Sequence, residues 1–532
     1  MPVGPRLLLS AVVIVSLLPF LGKSIHIDDA LFLKSARQII AHPLDFYGFR
    51  VYWGGREIPM ADEMRNPPLA AYYLALVGRM FGWRESALHA AFIPIALAAI
   101  LGTYALARSL TRRPMYAALG TLLTPAFLVS STTLMSDTMM LAFFIWSIHL
   151  WILGRARGRI SLVIFAAMIA AAAVLTKYFA IALVPLLLAY TVMRERRVGS
   201  WALALGIPVA ALAGYELLTW RLYGEGLFVA AAGFAAHAHS AALWSTVVTM
   251  AFVGGVLPAT LFAIPLIWKA RGILAGTLFA LVVLTALTWP GSRLLATGLF
   301  ASPGIVALHM TVFILAGASI LVLAAEDVCR HRDAESLLLA LWMTGVLFFS
   351  AFLNWTVNVR TILPVAPAAA ILLARRLEGE GRVRRWSTVI LVAQAVLAFA
   401  VAAADLRLAN SARKATEIIY RNVGVEHPRI WFQGNWGFQE YMERRGARPF
   451  DGRKARAGDL LILPGNNTSL HVKPGTLQLV GVLRVGGPRG LTTMSGKDGA
   501  GFYSDVFGPL PYAFGRIPEE AYIVTRVLPV SH

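Results

Sequence analysis

The stretch LAAYYLALVGRMFG (69–82) decides how the chain is threaded. It is apolar, but it falls short of the roughly 20 residues a helix needs to cross a hydrocarbon core. Longer apolar runs surround it. They lie near 7–21, 86–107, 114–131, 136–153, 160–176, 178–193, 200–220, 245–268, 272–289, 303–324, 335–353, 360–376 and 386–404. With 69–82 read as an interfacial or half-buried helix, these make 13 spans. Basic residues test that reading, because cytoplasmic loops carry excess Lys and Arg. If the chain starts inside at Arg6, 19 of the 31 basic residues before residue 405 fall in loops on that side. The opposite side has 12, six of them in the loop 23–68, where six acids balance them. Making 69–82 a span inverts every later loop against the rule.

Composition agrees. The chain has 532 residues, 58% of them hydrophobic, and a mean hydropathy of +0.66. Only 14% are charged, against about 25% in an ordinary soluble domain. This argues against a cytosolic globular enzyme, a disordered chain and a disulfide-rich secreted one. The net charge of +20 is largely a topology signal, not a nucleic-acid footprint, and no nucleic-acid partner is expected. The single cysteine, Cys329, excludes an intramolecular disulfide and a CxxC metal site. Met1–Arg6 looks like a signal-peptide n-region, yet no small-x-small cleavage site follows before His26, so an uncleaved first span is expected.

The expected fold is therefore a polytopic α-helical membrane protein with about 13 transmembrane helices. Residues 1–404 form the membrane module, and its first external loop, 23–68, carries amphipathic helices. Residues 405–532 form a small extracytoplasmic α/β domain. In that tail, RIWFQG (429–434) and DLLILPG (459–465) read as strands, and NWGFQEYMERRG (435–446) as a helix.

The notable polar residues fall on the external side. Asp28 and Asp29 open HIDDALFLKSARQI, whose Leu31 or Phe32, Ser35 or Ala36, and Ile39 share one helical face. One Asp is explained as a helix N-cap. A second carboxylate at a membrane edge suits a general base or a metal ligand. Arg65 and Asn66 precede Pro67 and Pro68, and Arg65 either snorkels or pairs with a lipid phosphate. Ser136 and Asp137 start a span, as an N-cap or as a buried functional acid. Lys177 sits in a tight turn between spans, and Arg360 opens a late one ahead of Pro364 and Pro367. Each suits a phosphate contact or snorkelling. His237 and His239 have HxH spacing, a weak strand-like metal pair. No nucleotide-binding or hydrolase motif is present, so no cofactor is called for, and a divalent metal is left open.

Taken in order, the first-loop DD, NPPLAAYYLAL, PAFLVSSTTLMSDTMMLAFF, LTKYFA and RTILPVAP resemble the GT-C glycosyltransferases, of the glycosyltransferase family 39-like, protein O-mannosyltransferase and aminoarabinose transferase type. The resemblance covers nearly the whole chain. It implies inverting transfer of a sugar from a polyprenyl-phosphate donor to a lipid, glycan or protein acceptor, in a bacterial inner membrane. Asp28 matches the family's leading first-loop acid, Asp29 its neighbour and Asp137 the second acidic position. Lys177 and Arg360 are the candidates for the donor phosphate, with Arg65 a third. Asn66, Tyr72 and Tyr178 are the expected lining of the donor and acceptor groove. One departure stands out. Aminoarabinose transferases carry Glu-Lys before the double proline, where this chain has Arg65-Asn66, which puts the family's metal site in doubt. The competing classes are a transporter or lipid flippase and a non-catalytic scaffold. A transporter calls for mid-bilayer polar residues and inverted repeats, and neither is evident.

Overall fold

The computed structural model describes residues 4–238, 242–289, 300–379, 383–423, 429–468, 476–486, 490–515 and 520–529. All 13 expected spans are helical in it. Among the described residues eight helices are long and apolar enough to cross a membrane by length and composition, and this is a multi-pass membrane protein. They are Glu85–Leu110, Asp137–Ala156, Tyr178–Glu195, Ser200–Tyr223, Ala270–Thr288, Pro303–His331, Ala334–Leu353 and Trp386–Asn422. The other five expected spans are shorter or broken. Gly4–Phe20 and Ile160–Val174 are short. The remaining three break where a proline removes a backbone donor. The run 114–131 becomes Pro114–Leu122 and Pro125–Ser130, and Thr124 caps the second piece through Phe127 N at 3.1 Å. Pro258 and Pro364 divide 245–268 and 360–376 in the same way. The stretch 69–82 forms Leu69–Phe81, a helix of 13 residues, too short to be a full span.

Side-chain pairs gather the basic loops at one end of the bundle. Arg155 pairs with Glu195 at 2.5 Å, Arg194 with Glu335 at 2.5 Å and Arg375 with Asp327 at 3.0 Å. Arg384 and Arg385 open the helix Val383–Val423, and Arg382 lies outside the described residues. Within the bundle, Ala242–Val256 crosses Pro303–His331 through glycines. A β-carbon on Gly254 meets Phe313 O at 1.8 Å, and one on Gly317 meets Met250 O at 2.4 Å. Small residues let the backbones touch where no water drives apolar burial.

The first loop forms helix Asp29–Ala41, which buries Leu31, Phe32, Ser35, Ala36 and Ile39. A hairpin follows, pairing Arg50–Trp53 with Arg56–Pro59. The helix Val383–Val423 is continuous, so the expected boundary at 404 falls inside it. Beyond it, five strands form a mixed sheet in the order Arg448–Pro449, Ile430–Phe432, Leu460–Pro464, Glu520–Val527, Leu477–Val485. The first three run parallel, and the last two are antiparallel to their neighbours. Helix Trp436–Arg444 crosses between the parallel strands. The α/β reading of 429–465 is met within a residue or two at each strand.

This sheet docks on the first loop. Lys34 pairs with Glu443, and Arg37 with Glu440 at 2.7 Å. Tyr441 Oη accepts from Ile25 N at 2.8 Å. The approach is so close that a β-carbon on Gly437 meets Ile25 O at 1.8 Å. A separate stretch of the tail, 490–515, packs against the helices' hydrophobic core through Leu491, Met494, Phe502, Tyr503, Leu510 and Tyr512.

Candidate functional site

Four charged side chains meet where helices begin or end on the side away from the basic loops. Asp28 stands at the N-cap position of Asp29–Ala41, yet its carboxylate caps nothing. Its Oδ2 instead accepts from Arg360 Nη1 at 3.1 Å. Arg360 lies in the short helix Val359–Ile362, which Asn358 caps through Thr361 N at 2.8 Å. Asp137 opens the span Asp137–Ala156, and Ser136 makes no side-chain cap there. Lys177 Nζ donates to Asp137 Oδ1 at 2.6 Å. Asp137 also interacts electrostatically with Arg360. Two acids and two cations therefore alternate. Asp28 is 30% exposed, whereas Asp137 is 2% exposed. Neither cation is a free snorkelling residue.

The neighbouring acid behaves differently. Asp29 is fully buried and bonds to backbone: Oδ2 accepts from His26 N at 3.1 Å and Oδ1 from Leu134 N at 2.8 Å. Burial pushes its pKa up to about 7, against a smaller opposing pull from Lys23. Asp29 thus ties the first loop to the segment that leads into Asp137. The backbone before the pair is strained, because Ile27 has φ +47°, a left-handed conformation that β-branched residues avoid. The turn sends the two carboxylates in different directions.

Leu69 N donates to Leu175 O at 3.2 Å, which brings the double-proline turn to the Lys177 turn. Arg65 lies 4.4 Å from the centre of the Phe234 ring, a cation–π contact. The carbonyl of Asn66 accepts from Tyr47 Oη at 2.8 Å. Tyr72 gives its hydroxyl to the Pro43 carbonyl. Tyr178 Oη donates to Tyr215 Oη at 3.4 Å. Phe46 contacts the rings of both Tyr72 and Tyr215, so these groove candidates share one aromatic cluster.

The histidine pair is a correction. His237 lies on the helix Leu227–Ala238, not on a strand, and its Nδ1 contacts Gly233 O one turn back at 2.7 Å. His239 lies outside the described residues. Among the described residues no three His, Cys, Asp or Glu side chains gather as a metal site. Arg65, where the resembling family has its metal-binding Glu, sits on an aromatic ring. The residues present do not fit that metal.

Sequence reasoning missed four residues. Lys23 is fully buried and pairs with Asp405 at 2.6 Å. Tyr503 donates to the same Asp405 at 2.9 Å, and its ring lies 5.7 Å beneath the Arg360 guanidinium. Lys23 and Asp405 each adjoin a long apolar run, the signal that picked out Asp137. Glu63 is the fourth. Its carboxyl is pushed up to about 7, first by burial and then by Asp28.

Residues 65–220 match the family model described as dolichyl-phosphate-mannose-protein mannosyltransferase. The matched segment holds Arg65, Asp137 and Lys177. With the multi-pass helical architecture, this match supports a GT-C fold membrane glycosyltransferase. No curated protein sequence matches significantly. Among solved structures the chain is similar to ArnT from Cupriavidus metallidurans bound to undecaprenyl phosphate, at 15% identity and a TM-score of 0.45, covering 87% of this chain and 94% of that one. It is similar to the Archaeoglobus fulgidus oligosaccharyltransferase in complex with Zn and sulfate, at 12% identity and a TM-score of 0.48, covering 84% and 62%. A third is the mycobacterial arabinofuranosyltransferase AftD, at 12% identity and a TM-score of 0.42, covering 99% and 40%.

Proposed function

We propose that this chain moves a sugar from a polyprenyl-phosphate donor to an acceptor hydroxyl at the external face of a bacterial inner membrane, with residues 405–532 on that face. The observation that carries this is the pairing of a part-exposed carboxylate, Asp28, with Arg360, beside Asp137 and Lys177. Before substrate arrives, each acid is the counter-ion of a cation, so the cations are held in place. A donor phosphate then draws on Arg360 and Lys177, and Asp28 is released toward the acceptor. Asp28 takes the acceptor proton as the acceptor oxygen bonds to the anomeric carbon. The bond from that carbon to the phosphate oxygen breaks, and the two cations hold the charge that develops there. Attack opposite the leaving phosphate inverts the anomeric centre. Asp137 keeps Lys177 oriented, and Asp29 keeps the first loop docked. Arg65, Asn66, Tyr72 and Tyr178 border the groove for donor and acceptor.

The test uses purified full chain in proteoliposomes with labelled polyprenyl-phosphate sugars. Transfer is expected with the wild type and its loss with Asp28→Asn, at equal yield and melting temperature. Full turnover by Asp28→Asn overturns the base assignment. Uptake of intact lipid without sugar release favours a transporter. Mass spectrometry of envelope glycans with and without the gene then names the sugar and the acceptor class.

A further inference from the structure

The segment 502–505 of the tail grips the short stretch that carries Arg360. Phe502 O accepts from Val359 N at 2.9 Å, and Asp505 N donates to Val357 O at 2.9 Å. Asp505 Oδ1 accepts from Val357 N at 3.0 Å and also from the Thr356 hydroxyl. Ser504 Oγ lies 2.7 Å from Thr356 Oγ1. In the middle of this grip stands Tyr503, which is 3% exposed. One face of its ring lies 5.7 Å from the Arg360 guanidinium carbon. Its hydroxyl is fixed on Asp405, which Lys23 and Thr493 also hold, at 2.6 and 3.1 Å. The same ring packs edge-on against His26, 5.2 Å away, and His26 N binds Asp29. A residue 143 positions beyond Arg360 in the chain thus touches Arg360 and, through His26, reaches Asp29, the neighbour of Asp28.

We propose that Tyr503 is a positioning residue for the donor phosphate. Its ring forms the floor that holds the Arg360 guanidinium level with Asp28, and Asp405 and Lys23 anchor that floor. The tail segment therefore completes the site. The inference rests on the reading of Arg360 as a phosphate-binding cation. The guanidinium supports that reading, since among the described residues its Nε is buried without a hydrogen-bond partner. A ring beneath a part-desolvated guanidinium fixes its plane and leaves its edge for an anion.

The experiment is equilibrium binding of radiolabelled undecaprenyl phosphate to purified full chain. Tyr503→Leu is expected to weaken binding about tenfold and Tyr503→Phe about threefold, from the size of a partly desolvated cation–π contact. In an Arg360→Gln background, which itself weakens binding, neither change has a further effect. That non-additivity is the mark of action through Arg360. If Tyr503→Leu does not yield a monodisperse protein, the Tyr503→Phe cycle decides alone. Losses that add fully to that of Arg360→Gln, or no loss at all, overturn the positioning role and leave the phosphate reading standing. Unchanged binding in Arg360→Gln itself overturns both.

Discussion

The Asp28 carboxylate and the Arg360 guanidinium lie 332 positions apart in sequence and meet at 3.1 Å. The pair joins the first loop to a late helix. Arg360→Lys shortens the reach and removes the planar fork. Turnover of a polyprenyl-phosphate sugar is expected to fall about 100-fold, the scale of one lost electrostatic donor. Steady-state kinetics of the reconstituted protein check this, and wild-type kcat in Arg360→Lys contradicts it.

The Asp137–Lys177 pair is the more deeply buried. Lys177→Met takes from Asp137 its hydrogen-bonded counter-ion, leaving only the more distant Arg360, and is expected to cost about 3 kcal/mol. Asp137→Asn with Lys177→Met regains most of that stability but not the activity. Thermal melting of both variants in one detergent is the check. A double variant no more stable than the single one shows that the pair is not coupled.

Asp29 predicts a pH dependence. Its pKa is raised from 3.8 to about 7, so between those values the folded chain holds a proton that the unfolded chain has lost. This contribution to stability is complete below about pH 4 and is lost as pH rises through 7. Asp29→Asn is expected to flatten the decline of the apparent Tm across that window. An unchanged slope assigns it to another group, with Glu63 next in line.

Gly437 is where the tail touches the first loop backbone to backbone. Gly437→Ala puts a methyl group 1.8 Å from Ile25 O and must push the helix Trp436–Arg444 away. The expected result is faster proteolysis of the tail and a drop in apparent Tm of several degrees, for a cost of about 2 kcal/mol. Proteolysis at the wild-type rate rules the contact out as an anchor.

Topology can be read with thiols. Cys329 is exposed, beside the basic residues Arg330 and Arg332. Impermeant maleimide on intact cells is expected to leave Cys329 unlabelled. A cysteine at the 73%-exposed Lys454, in a Cys329→Ala background, is expected to label. The reverse pattern inverts the assigned orientation.

Much of the architecture could be read from the chain because few forces act on it. Apolar length marks the spans and basic residues gather at one end, whereas the breaks at Pro125, Pro258 and Pro364 lie inside runs that read as single spans. Asp28, Asp137, Lys177 and Arg360 were legible as a group because each stands at the same end of an apolar run. Their pairing was not, since nothing local tells Lys177 to choose Asp137. Lys23 and Asp405 escaped for the same reason, their pairing spanning 382 positions. Tyr503 lies in a stretch of mixed polarity, where an aromatic residue carries no positional signal. Arg65 is similar: its charge and place suit a phosphate, and the ring it lies on comes from a helix about 170 residues further on, which nothing local foretells.

The helix Val383–Val423 runs from the membrane into the tail without a joint. A tail expressed from residue 405 would start in mid-helix and carry off Asp405, stranding the buried Lys23 ammonium in the part left behind. The two parts are thus a single inheritance: a shaft fixed at one end in lipid, whose far end cannot be exchanged for another domain without resetting the charge balance at its root.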